Sequence, residues 1–271
     1  MVCIELNNIT YKYPLSDENA VENLTCKFEE GKFYGIIGEN GGGKTTLCNI
    51  IRGLIPNFYK GDLTGQVKVL GKDISEWKLS ELSVKIGYVF QNPDEQIFNP
   101  DVRSEVSYMP KHLKMEDEEV IRRIRWAMEL TGVRQYQKIN PLDLPYPIRK
   151  FVTIAAVIAM EPRYVILDEP TAGQDLKGIK ILEKLLDELQ QRGISVITIT
   201  HDMEFVANNF ERVIAMANKE IIADNNAKEI FWNQDILDES KIKKPQIAEV
   251  AERLGIAGNI LYMDELIGQI R

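Results

Sequence analysis

At 271 residues, 44% of them hydrophobic and 27% charged, the chain has the size and balance of a globular protein that buries a core without disulfide or metal staples. A net charge of -8 argues against a broad basic surface for nucleic acid, which needs clustered Lys and Arg. Cys3, Cys26 and Cys48 show no CxxC spacing and suit reduced, buried thiols; the longest apolar stretch, Val152 to Met160, is far shorter than the ~20 residues that cross a bilayer, and the N-terminus lacks a signal-peptide pattern.

In chain order, YKYP (Tyr11 to Pro14) comes first, where an aromatic beside a strand usually belongs to a core. Lys32 to Ile37 then reads as a short apolar strand, followed at once by GENGGGKTT (Gly38 to Thr46) and a helix-like run from Leu47 to Leu54. Strand, glycine loop and helix are the context that the pattern G-x-x-x-x-G-K-[ST] requires. Gly38, Gly41, Gly42 and Gly43 let backbone amides converge on phosphate oxygens, with Asn40 among them and Thr46 closing the loop. Lys44 supplies a point charge, Thr45 is placed to offer its hydroxyl to Mg2+, and the helix N-terminus adds partial positive charge. Taken alone, the loop implies a nucleoside triphosphate and leaves kinases, GTPases and ATPases open.

Further along, FQNPDEQIF (Phe90 to Phe98) predicts a short helix capped by Asn92 with Pro93 at its first position. Glu118 to Gly132 predicts a helix with Val120, Ile124 and Ala127 on one face, and Arg149 to Ala159 predicts another that keeps an apolar character. RYVILDE (Arg163 to Glu169) reads as a buried parallel strand delivering two adjacent carboxylates, Asp168 and Glu169, to the C-terminal edge of a sheet. There Asp168 would hold the Mg2+ shell and Glu169 would accept a proton from, or orient, a water attacking phosphorus. A second strand, Ile194 to Thr200, ends at His201, one of only two histidines and a candidate γ-phosphate contact, although a lone strand-end His is more often structural. Beyond about residue 235, Ile247, Val250, Ala251 and Leu254, with Gly255 as a cap, and then Met263, Leu266, Ile267 and Ile270, repeat helical spacing.

With these parts in this order, residues 1 to about 230 resemble the ABC ATPase family. GENGGGKTT resembles its Walker A, YVILDEP its Walker B, AGQD (Ala172 to Asp175) its D-loop, Gln91 its Q-loop glutamine and His201 its switch histidine. The resemblance implies an α/β P-loop NTPase with a parallel core sheet, an antiparallel β portion and a helical subdomain. It places an ATPase domain at 1–232, with the helical subdomain at about 92–160, and a small helical extension at 233–271 that helps hold two such subunits together. It implies ATP and Mg2+ as ligands, Tyr13 stacked on adenine, and Gln91 sensing Mg2+ and the attacking water while coupling that site to a membrane partner.

FQNPDEQIF and the extension further resemble the motor subunits of energy-coupling factor transporters for vitamins and metal ions. That implies a peripheral protein at the cytoplasmic face of the cell membrane, partnered by an integral coupling subunit and a substrate-binding membrane subunit, with no nucleic acid. The family's LSGGQ signature, which clamps the γ-phosphate bound by the opposite subunit, is replaced here by LPYPI (Leu144 to Ile148), 24 positions before Asp168. Proline has no N–H to donate, and a tyrosine ring fills space where backbone should approach oxygen. We therefore expect a heterodimer in which this chain's intact residues are served by a second ABC ATPase bearing a good signature. A regulatory subunit with little turnover, and an ABC ATPase working away from membranes, are the competing expectations.

Overall fold

In the computed structural model the described residues are 3–256 and 258–270. The strands are β1 (Cys3–Lys12), β2 (Val21–Glu29), β3 (Phe33–Gly38), β4 (Asp62–Val69), β5 (Lys72–Asp73), β6 (Ile86–Val89), β7 (Tyr164–Asp168), β8 (Ser195–Ile199), β9 (Arg212–Ala217) and β10 (Glu220–Asn226). The α-helices are α1 (Lys44–Ile51), α2 (Leu54–Asn57), α3 (Leu79–Lys85), α4 (Val102–His112), α5 (Asp117–Leu130), α6 (Tyr146–Ile158), α7 (Leu176–Gln191), α8 (Met203–Asn209), α9 (Ala227–Phe231), α10 (Gln234–Ser240), α11 (Gln246–Arg253) and α12 (Met263–Ile270). They fall into two compact units: the described residues of Met1–Glu29, Phe33–Leu82 and Ile199–Arg271 form one, and Glu30–Lys32 with Ser83–Thr198 form the other.

The first unit holds an antiparallel sheet in the order β2-β1-β4-β5. Alternation along β1 buries Ile4 and Leu6, then changes phase to bury Ile9 and Tyr11. The pairing register shifts between Leu6 and Ile9, and Asn8 takes a φ of 53°, so a bulge re-aims the apolar side chains after one extra residue. In the same unit β3 pairs in parallel with β9, which pairs antiparallel with β10. Ile36 and Ile37 are both fully buried, because a central parallel strand has no solvent face.

The C-terminal helices also belong to this unit. Ala251, Ile260 and Leu266 form a small buried cluster on which Trp232, Ile247 and Ile256 pack. Gly255, at φ 66°, ends α11: its N–H bonds Glu252 O and the Ile256 N–H reaches back to Ala251 O, the paired bonds of a Schellman cap. The stripe predicted from spacing is rotated, with Ala248 and Ala251 inward and Val250 and Leu254 exposed. Two alanines let the short helix approach its neighbours closely, so the larger side chains turn outward. In α12 only Leu266 is buried, while Met263, Ile267 and Ile270 face solvent.

In the second unit β6 and β7 pair in parallel, with β8 next in the order β8-β7-β6. Val165, Ile166 and Leu167 of β7 and Val196 and Ile197 of β8 are fully buried. Helix α5 buries Val120, Ile124, Ala127 and Met128, as its spacing predicts, and Gly132 follows it at φ 72°. Helix α6 begins at Tyr146, three residues before the predicted start, because a proline is tolerated in the first turn, where an N–H would be orphaned anyway. The predicted helix after Gln91 is a single 3-10 turn, Pro93–Glu95, with Asn92 Oδ1 accepting from the Asp94 N–H at 3.2 Å.

Candidate nucleotide-hydrolysis site

Strand β3 runs directly into the phosphate loop at Gly38, whose φ is 141° and where a Cβ would lie 2.0 Å from Met216 O. Only glycine fits that position. Gly43 precedes α1 at φ 95°, so the loop enters the helix through a left-handed residue with no side chain to cap it. The Lys44 side chain is buried and donates to Gly38 O at 2.7 Å and Glu39 O at 2.6 Å. Thr45 is exposed and Thr46 buried, with the Tyr13 hydroxyl 3.5 Å from Thr46 Oγ1. His201, just past β8, lies with Nε2 3.0 Å from Asn40 Oδ1. Thus the first unit gathers Tyr13, Gly38, Asn40, Gly41, Gly42, Gly43, Lys44, Thr45, Thr46 and His201 around one loop or in direct contact with it.

The second unit carries Gln91, Asp168 and Glu169. Asp168 and Glu169 are half-buried at the C-terminal end of β7, the edge where ligand chemistry collects in parallel sheets. The Tyr88 hydroxyl, from neighbouring β6, donates to Asp168 Oδ2 at 2.6 Å and fixes that carboxylate's orientation. Glu169 sits at φ 47°, a left-handed conformation costly for a non-glycine residue, and its carbonyl accepts from Lys150 Nζ. Burial pushes Lys150 down to about 8, opposed by the charges of Glu169 and Asp168.

The LPYPI segment is engaged by its own unit. Tyr146 donates its hydroxyl to Gln91 O at 3.2 Å, and its ring lies 3.2 Å from where a Cβ on Gly173 would sit. Gln174 Nε2 donates to Pro147 O at 3.1 Å. Arg149 makes a two-pronged pair with Asp94 at 2.7 and 2.8 Å, and its Nε donates to Leu144 O. Pro145 caps α6 without a side-chain hydrogen bond. Sequence reasoning missed Tyr88 and Lys150; a lysine just ahead of the apolar stretch Val152 to Met160 was the available signal for the second.

The chain is similar to known proteins along most of its length. The profile of the ABC transporter family matches residues 21–172. The energy-coupling factor transporter ATP-binding protein EcfA of Methanosphaera stadtmanae is 33% identical over 261 residues, spanning 96% of this chain and 92% of its own. Among solved structures, cbiO1 of Clostridium perfringens, part of the ABC transporter complex cbiONQ, superposes with a TM-score of 0.78 at 29% identity, covering 94% of this chain and 99% of its own. A dimeric ATP-binding cassette in a post-hydrolysis state, bound to ADP and Pi, superposes with a TM-score of 0.72 at 27% identity over 83% of this chain and 98% of its own. A glycine loop that only glycine can build, a buried loop lysine, paired carboxylates at a strand end and a family match across more than half its length place this chain in the ABC transporter family, as an ATP-binding, ATP-hydrolysing subunit.

Proposed function

We propose that this chain is the motor of an energy-coupling factor type transporter for a vitamin or metal ion, working as one half of an asymmetric ATPase dimer. The signature slot carries this reading: Pro145 has no N–H to offer, the Tyr146 hydroxyl is spent on Gln91 O, and Pro147 O is taken by Gln174. Each preorganised donor aimed at developing transition-state charge is typically worth ~10²–10³ in rate, so a nucleotide facing this slot turns over slowly. The site built from this chain's own loop keeps its parts and takes its signature from a second ABC ATPase.

In that site the loop glycines, Asn40, Lys44 and Thr46 hold the phosphates, Tyr13 stacks on adenine, Glu169 takes a proton from or orients the attacking water, and His201 contacts the γ-phosphate. Thr45, Asp168 and Gln91 all offer hard oxygen atoms, the chemistry Mg2+ prefers. Among the described residues no group of three or more His, Cys, Asp or Glu could hold a metal ion. When bound, Mg2+ neutralises phosphate charge.

Residues 1–232 act as the ATPase domain, with a helical subdomain at about 92–160. The extension at 233–271 joins two subunits through the outward face of Val250, Leu254, Met263, Ile267 and Ile270. No helix among the described residues is long and apolar enough to cross a membrane. In this reading the chain docks at the cytoplasmic face on an integral coupling subunit accompanied by a substrate-binding one. Tagging the chain in its host and solubilising membranes gently is the test. Recovery of an integral membrane protein and an ATPase with an intact signature supports the proposal; recovery of soluble partners alone contradicts it.

LPYPI also favours a second reading, a regulatory subunit with little turnover. Glu169→Gln separates the two: it abolishes assembly turnover if this chain hosts the active site and leaves it unchanged if the chain only regulates.

A further inference from the structure

Helix α6 carries a fully buried lysine at the head of a largely apolar run. Lys150 is 0% exposed and is followed by Phe151, Val152, Ile154 and Ala155, all buried. Burying an ammonium away from water is costly unless its donors are used. Its ammonium donates to a main-chain atom, the carbonyl oxygen of Glu169, while the Tyr146 ring face lies 5.9 Å from Nζ. The charges facing it are the carboxylates of Glu169 and Asp168 at the end of β7.

That carbonyl belongs to a residue in a strained conformation. At φ 47°, Glu169 departs from the strand that delivers it, and the direction of its carboxylate depends on how that backbone is held. A conformation of this kind persists only when its surroundings over-determine it. The ammonium supplies a charge-assisted hydrogen bond at that point, from a helix whose first residue belongs to the signature slot.

We propose that Lys150 is a positioning residue for ATP hydrolysis: its buried ammonium holds the main-chain carbonyl of Glu169 and thereby fixes where the Glu169 carboxylate stands. The inference rests on the reading of Glu169 as the residue that handles the attacking water. It also gives α6 two duties, presenting LPYPI at its first turn and steadying this chain's own carboxylate one turn later. Lys150 touches neither nucleotide nor water in this role.

The test uses the full chain in its assembled transporter, carrying Lys150→Met, Lys150→Arg, Lys150→Gln or Glu169→Gln. Turnover, KM for MgATP, displacement of a trinitrophenyl ATP analogue and thermal midpoint are read together. Misplacing a reacting group by about 1 Å can cost ~10²-fold, so Lys150→Met is expected to lower kcat at least about tenfold. KM and analogue binding should stay within about twofold, since the phosphate loop is untouched, and Lys150→Arg, which keeps a charged donor, should restore most of the loss.

A kcat for Lys150→Met within about twofold of wild type, with Glu169→Gln inactive, overturns this inference alone. Parallel loss of kcat, nucleotide binding and thermal midpoint, with no rescue by Lys150→Arg, also overturns it, because a merely structural lysine behaves that way. If Lys150→Met does not assemble, the order Lys, Arg, Gln in kcat at constant nucleotide affinity supports the proposal, and a Lys150→Gln as fast as wild type contradicts it. Undiminished turnover in Glu169→Gln overturns the underlying reading of Glu169, and this inference with it.

Discussion

Tyr88 and Lys150 show how two adjacent carboxylates can be set by different means. Asp168 is held through its side chain, by a hydroxyl 2.6 Å away, and Glu169 through its backbone. Outer-shell partners of metal ligands typically matter by ~10–100-fold, so Tyr88→Phe is expected to raise the Mg2+ concentration for half-maximal turnover by about tenfold. Titrating Mg2+ at saturating ATP checks it. Lys150 also makes a stability prediction. Its folded value of about 8 lies below its ordinary unfolded value of ~10.4, so the unfolded chain binds more protons between those values and this group's contribution to stability rises with pH across that window. Denaturant unfolding should show wild type gaining ~2 kcal/mol on Lys150→Met between pH 7 and pH 9.5. The placement of Lys44 in a glycine loop and of Asp168, Glu169 and His201 at or just past strand ends was legible in the sequence, because loop pattern and strand ends are local signals. The partners of Asp168 and Glu169 were not, since Tyr88 and Lys150 meet them only through strand pairing and helix packing.

Among the elements, those with a strong local cause match their sequence and those settled by packing do not. Helix α5 was readable from its apolar spacing and its glycine stop. The C-terminal stripe was misread because α11 is eight residues long, and over two turns several faces look equally apolar until alanines decide which can approach the body. The bulge at Asn8 was likewise invisible, since nothing in the composition of β1 announces an extra residue. Asp175 of the AGQD segment caps α7, its Oδ1 accepting from the Lys177 and Gly178 N–H groups at 3.0 and 2.8 Å. Asp175→Ala should therefore cost about 1 kcal/mol of stability by denaturant unfolding, whatever it does to turnover.

For the whole molecule, fold class and enzyme class were readable from motif order, whereas the proposal of an asymmetric dimer rests on what occupies one slot. Tyr146, Gln174 and Arg149 spend their polar atoms within their own unit, so the segment that would clamp a partner's nucleotide keeps its shape as a helix start and gives up donors. The measurement that tests this most directly is ATP turnover by a purified dimer of this chain with itself, set against a dimer of this chain with a cassette bearing an intact LSGGQ. Loss of even one preorganised donor is worth ~10²–10³, so the account predicts the mixed dimer to be at least about a hundredfold faster for the site built on Lys44 and Glu169. Equal turnover by the two dimers would contradict it.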